Sequence, residues 1–187
     1  MKLPVLFIVV GLLSGCGAAS EYLKGDDNTV EPTELTDFQP SLELTTVWER
    51  NVGKGPKSLQ VKLAPVFTGG RVYAASRTGK VAAFDADTGE ELWEASMKRS
   101  ISGGPGVGSG VVVVGTRDGY VVALSPVEGT LVWSTRVSSE VLSAPQAGEG
   151  VVVVRTADGR LTGLSAIDGQ TLWFYDRGVP SLTLRGT

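Results

Sequence analysis

The chain has 187 residues, a formal net charge of −3, no histidine, and one cysteine, Cys16. These counts exclude an intrachain disulfide and remove the commonest general base and metal ligand. They also leave no clustered basic stripe with interleaved aromatics, so no nucleic-acid partner is expected.

In chain order, Lys2 precedes an apolar run from Leu3 to Leu13 that is too short to span a bilayer comfortably. The run closes in Leu13-Ser14-Gly15-Cys16, which resembles the lipobox of bacterial lipoproteins. The resemblance implies a signal peptide over residues 1–15, cleavage before Cys16 and acylation of that cysteine, with more than one acyl chain for stable anchoring. Gly17, rather than aspartate, follows the cysteine. By similarity to sorted lipoproteins, this implies the outer membrane, with the chain lipid-anchored and facing the periplasm. From Gly17 to Glu43 there are seven acidic residues against Lys24, together with Pro32 and Pro40. Residues 16–43 therefore read as the lipidated cysteine and a flexible acidic tether with an average span of about 30 Å. A binding segment is the alternative reading of that charge run.

From residue 44 the chain repeats itself. Pro65, Pro105 and Pro145 are 40 apart, as are Gly79, Gly119 and Gly159, then Gly89, Gly129 and Gly169, then Trp93, Trp133 and Trp173. Such a period marks units that bury their apolar surface only by stacking on one another. The runs Arg71 to Ser76, Val111 to Thr116 and Val151 to Thr156 are β-branched and too short for helices, so they read as strands. Thr78-Gly79, Asp118-Gly119 and Asp158-Gly159 predict two-residue hairpins into second strands from Val81, Val121 and Leu161. A further turn at Gly89, Gly129 and Gly169 leads to the tryptophan strand. With the run near each aligned proline, this makes four antiparallel strands, one propeller blade. The predicted fold class is all-β, a β-propeller over residues 44–187 with blades at approximately 60–98, 99–138 and 139–178.

Trp48 lies 45 residues before Trp93, and the extra residues fall in an enlarged loop, Gly53 to Leu59. Thr46 to Asn51 therefore reads as an orphan strand of the kind that completes the last blade of a closed ring. Propellers have about four to eight blades, so the expectation is an N-terminal piece of a longer ring, with assembly of several copies as the alternative. Each tryptophan reads as a structural anchor. Burying ~150–250 Å² of indole contributes roughly 4–6 kcal/mol as an upper bound. Stacking on a ligand is the other role such a residue could take.

Catalytic chemistry has no candidate residue. Asp85, Asp87, Asp118, Asp158 and Asp168 stand at repeated turn or strand-end positions and read as turn formers, with a metal site as the alternative. The glycine-rich run Ser102 to Gly110 lacks the spacing of a phosphate cradle and precedes a β-branched strand instead of a helix. It reads as a blade-to-blade loop and innermost strand, and no metal or cofactor is expected.

The segment Ala82-Ala83-Phe84-Asp85-Ala86-Asp87-Thr88-Gly89-Glu90-Glu91-Leu92-Trp93 closely resembles the tryptophan-docking motif of quinoprotein-type propellers, and the copies ending at Trp133 and Trp173 are looser versions. Val179-Pro180-Ser181-Leu182-Thr183-Leu184-Arg185-Gly186, with the lipobox, the acidic tether and Trp48, resembles the propeller-lipoprotein family of the outer-membrane β-barrel assembly machinery. That resemblance implies an eight-bladed noncatalytic scaffold. The implied partners are the central barrel-forming subunit, bound through a POTRA domain, unfolded outer-membrane proteins, and outer-membrane lipid through acylated Cys16. It implies partner binding by Leu182, Leu184 and Arg185. Leucines at a spacing of two share one face of an extended segment, and an arginine suits a bidentate bond to a carboxylate. The residues alone favour the leucines in the core and Arg185 as a solvated strand end, and the resemblance reverses that preference. One departure is Ser125-Pro126 in place of Asp85-Ala86, which makes the second copy a looser match to the motif. The alternative function, a periplasmic dehydrogenase using pyrroloquinoline quinone, needs a cofactor-stacking cysteine pair and calcium carboxylates, for which this sequence offers no candidates.

Overall fold

Each copy of the repeat folds as a four-stranded meander, because short β-branched runs alternate with glycine-bearing turns. A computed structural model describes residues 33–34, 41–54 and 63–176 of the chain. The chain divides into two units, Met1–Leu44 and Thr45–Thr187. Among the described residues the first unit carries no helix or strand, whereas the second carries twelve strands and no helix.

Blade 1 comprises β1 (Val66–Thr68), β2 (Arg71–Ala75), β3 (Lys80–Asp85) and β4 (Glu91–Ser96). Blade 2 comprises β5 (Ile101–Gly108), β6 (Val111–Thr116), β7 (Tyr120–Leu124) and β8 (Leu131–Arg136). Blade 3 comprises β9 (Gln146–Gly148), β10 (Val151–Arg155), β11 (Leu161–Ser165) and β12 (Thr171–Tyr175). Neighbours in each sheet are consecutive in sequence, and every pair is antiparallel.

The core lies between the sheets. Side chains alternate across a strand, so Val112, Val114, Val122 and Leu124 of blade 2 pack with Tyr73, Val81, Ala83 and Trp93 of blade 1. The intervening Val111, Val113, Val121 and Ala123 pack with Val152, Val154 and Leu164 of blade 3. Every residue of β6 is consequently buried, although its counterparts β2 and β10 are only partly so. Blade 2 is covered on both faces. Most of the glycine run lies in β5, an edge strand of that blade, and at Gly106 and Gly108 an added Cβ would meet the carbonyls of Pro145 and Ala147. Glycine lets β5 approach the backbone of blade 3 closely.

Two local expectations are corrected. The β2–β3 turns have three-residue loops. Gly79 N–H binds the Ser76 carbonyl at 3.0 Å while Ser76 N–H binds the Lys80 carbonyl at 2.8 Å, a type I turn closed by a left-handed glycine. Only the glycine takes positive φ there, 99° at Gly79, 77° at Gly119 and 87° at Gly159. A two-residue turn would force Thr78 or an aspartate into the same region against its Cβ. The orphan strand over Thr46 to Asn51 does not form either: residues 41–54 carry no strand, since among the described residues no strand lies beside them to complete a ladder. Most of the enlarged loop, from Gly55 onward, lies outside the described residues.

Candidate functional site

A contact that recurs among the described residues is a tryptophan docked on the glycine turn of the following blade. Trp48 Nε1–H donates to the Ala86 carbonyl at 2.8 Å, Trp93 to Pro126 at 3.1 Å and Trp133 to Ala166 at 2.9 Å. In each case the indole lies against the glycine three residues further on. A Cβ at Gly89 would sit 2.6 Å from Trp48 Cδ2, and one at Gly169 would sit 2.6 Å from Trp133 Cε3. Gly129 is filled in the same way by Trp93. These glycines also hold φ near +70°, so both the turn and the seat require the absence of a side chain. A second bond recurs at two of the three seats: Arg50 Nε and Thr135 Oγ1, each two residues beyond its tryptophan, donate to the carbonyls of Gly89 and Gly169 at 2.7 Å.

The aspartates at these turns bond to the chain itself. Asp85 Oδ1 accepts from the backbone N–H groups of Asp87 and Thr88 and from the Thr88 hydroxyl, which holds its carboxyl below the ordinary aspartate value. Ser125 replaces it in blade 2, where its hydroxyl accepts from Val127 and Glu128 N–H at 3.3 Å. The dock forms with Ser125-Pro126 in place. It uses a backbone carbonyl, and that of Pro126 accepts not only Trp93 but also Arg71 at 2.7 Å and the Tyr73 hydroxyl at 3.2 Å.

The opposite ends of the strands carry a charged row. Arg99 pairs with Asp118 and lies 3.7 Å above the Tyr120 ring, and Arg117 pairs with Glu140 at 3.5 Å. Lys98 and Ser100 join these four charged residues around an open depression of about 430 Å³. The Thr116 hydroxyl, then Arg99, lowers the Asp118 carboxyl, and the Thr156 hydroxyl does the same for Asp158. No group of three or more metal-ligating side chains comes together among the described residues.

The sequence-derived site residues fall into two sets. Trp93 and Trp133 are 8% and 7% exposed, whereas Trp173 is 42% exposed. That third indole departs from the expectation of three equally buried anchors, because no further glycine turn lies against it among the described residues. It rests instead on Gly163 of its own blade, where the other blades carry Ala83 and Ala123 opposite their tryptophans. Cys16, Leu182, Leu184 and Arg185 lie outside the described residues. In the sequence these glycines read as turn residues, and the structure adds their role as seats. The equal spacing of Trp93 to Gly129 and Trp133 to Gly169 carried that signal.

Comparison with known proteins places this geometry in a family. The curated outer membrane protein assembly factor BamB of Xanthomonas campestris pv. campestris is 38% identical over 125 residues, covering 59% of this chain and 31% of that relative. The crystal structure of BamB from Moraxella catarrhalis is similar with a TM-score of 0.57 and 30% identity, over 63% of this chain and 37% of that one. A quinohemoprotein alcohol dehydrogenase from Comamonas testosteroni shares the fold alone, at 24% identity and a TM-score of 0.51, over 62% of this chain and 21% of its own. The match thus spans less than a third of the curated relative's length. The family model described as outer membrane protein assembly factor BamB matches residues 42–99 and 77–187, so it runs through every blade and every docked tryptophan, and the chain belongs to that family of β-propeller proteins.

Proposed function

We propose that the chain is a noncatalytic scaffold of outer-membrane protein assembly, held by acylated Cys16 at the periplasmic face of the outer membrane. It binds the POTRA region of the central barrel-forming subunit through Leu182, Leu184 and Arg185, and assists the folding and insertion of outer-membrane proteins. The observation that carries this reading is the family match, whose second segment includes the Leu182 to Arg185 signature. The lipobox ending at Cys16 supports the anchor, and the acidic stretch from Gly17 to Glu43 supports a tether that lets the blades work away from the bilayer. A rigid stack of blades fixed by indole docking suits a scaffold, since it presents loops without needing to move.

The test uses co-purification with the central subunit. Leu182→Ala, Leu184→Ala and Arg185→Ala weaken it about tenfold or more, while circular dichroism and the melting curve stay at wild type. Unchanged co-purification, or loss that follows unfolding, places the leucines in the core instead. The anchor is tested separately: Cys16→Ala abolishes palmitate labelling and moves the chain to the soluble periplasmic fraction. Label retained by the variant overturns the lipidation reading alone.

A further inference from the structure

A repeat protein shows which side chains its fold requires, because those recur from blade to blade. At one place the charges break the pattern. At the start of the third strand, blade 1 neutralises its cation by pairing Lys80 with Glu94 at 2.8 Å, and blade 3 pairs Arg160 with Asp176 at 2.9 Å at the same repeat position. Blade 2 has Tyr120 at that position, Arg136 as its register partner, and Ser134 where blade 1 has Glu94. Arg136 is exposed and forms no ion pair among the described residues. The cation over the Tyr120 ring comes from elsewhere: Arg99, in the connection from blade 1, lies 3.7 Å above it and pairs with Asp118.

Two more cations stand at this corner. Lys98 and Arg117 line the open depression of about 430 Å³ with Arg99, Asp118 and Glu140. Lys98 is exposed and forms no ion pair among the described residues. Arg117 meets Glu140 through Nε alone, at 3.5 Å, so that pair engages neither of its Nη groups. Arg136 borders them, because cross-strand partners hold their Cβ atoms about 5 Å apart on one face, and its partner is the tyrosine beneath Arg99. The corner therefore gathers four cations against two carboxylates. The fold does not require Lys98, Arg117 or Arg136: the next connection has Ser138 in place of Lys98, blade 3 has Ala157 in place of Arg117, and blade 1 has Ser96 in place of Arg136.

We propose that this corner of blade 2, Lys98, Arg99, Arg117 and Arg136, docks an acidic segment of another polypeptide, whose aspartate or glutamate side chains take the cations that the fold leaves uncompensated. The outer edge of Arg117 suits a bidentate bond to a carboxylate. Asp118 and Glu140 decide against a membrane. A sheet of lipid phosphates meets the whole corner at once, those two carboxylates included, whereas carboxylates spaced along a chain take the cations one by one. The proposal rests neither on the assembly-factor reading nor on Leu182, Leu184 and Arg185, and its test does not use the central subunit.

The test is a titration of the chain with a fluorescent peptide of glutamates and glycines, beside a matched peptide of lysines and glycines. Wild type is expected to bind the glutamate peptide and not the lysine one, and to release it as salt is raised. Lys98→Ser, Arg117→Ala and Arg136→Ser each restore the residue of another repeat, and together they are expected to lower affinity about tenfold with an unchanged melting temperature. Arg136→Ser alone is expected to lower it about threefold, and it serves if the triple variant unfolds. Arg155→Ala is the matched comparison. Arg155 is also exposed, also forms no ion pair among the described residues, and also aligns with a small residue of blade 1, Ala75. That substitution is expected to leave affinity unchanged. Equal losses from Arg136→Ser and Arg155→Ala reduce binding to the overall charge of the chain and overturn the proposal. So does a wild type that ignores the glutamate peptide, or a folded triple variant that binds it equally well. Binding to phosphatidylglycerol vesicles that the triple variant abolishes assigns the corner to a lipid surface, and self-association in sedimentation that it abolishes assigns it to a second copy; either result overturns the proposal.

Discussion

At Gly129 two independent demands meet in one residue. Its φ of +69° belongs to the left-handed region, and the space a Cβ would occupy is filled by the Trp93 ring. Gly129→Ala therefore both strains the turn and unseats an indole that is 8% exposed. The expected loss is about 2–4 kcal/mol of unfolding free energy, read from the urea midpoint. Gly148→Ala is the control: its site lacks both positive φ and a neighbour within 4 Å, and the expected change is within about 0.5 kcal/mol. Comparable losses from the two substitutions would remove the seat from the account. The chain sequence makes the glycine recur but leaves its reason open, since a turn and a seat look identical in one dimension.

At the scale of the element, the strands were legible because β-branched runs of the right length are bounded by turn residues, and β6 was read at the bounds it has, Val111–Thr116. The hairpin type was less so, because Asp-Gly suits a two-residue loop and also the last two residues of a three-residue one. Hydrogen bonding between Ser76 and Lys80 decides it. Burial of the tryptophan strands was also beyond local reading. β4, β8 and β12 carry the same motif, yet every residue of β12 is exposed, because burial of an outer strand is supplied by the next blade. The substitutions Trp133→Ala and Trp173→Ala are thus expected to differ: about 3–5 kcal/mol for the first and about 1 kcal/mol or less for the second, measured by urea denaturation. Equal losses would show that the indoles stabilise their own sheets and not the borders between sheets.

Across the whole molecule, aspartate hydrogen bonds stitch turns at both ends of the strands. Asp85 is lowered by Thr88 N–H and hydroxyl, Asp118 by the Thr116 hydroxyl, Asp158 by the Thr156 hydroxyl, and Asp168 by the Ser165 hydroxyl and then Gln170 N–H. A carboxyl whose folded value lies below its unfolded value of about 3.9 contributes stability above that pH, and the contribution disappears as pH falls through the folded value. The melting temperature is therefore expected to be flat near neutrality and to fall below about pH 4. Asp118→Asn with Asp158→Asn should lower the neutral plateau and flatten the acid limb. A wild-type curve that rises on acidification would contradict the assignment.

The amino-acid sequence by itself determined the period, the all-β class and the positions of the repeated strands, because each of these is written in local spacing and residue type. Only the tertiary structure decided which glycine receives which tryptophan, why Pro126 can stand in the docking turn, and which of the repeated indoles is left half-exposed. Those contacts join residues more than thirty positions apart, each linking a blade to the segment or blade before it. Their energy resides in the surface one blade removes from water on its neighbour, a quantity set by stacking and not by any segment alone.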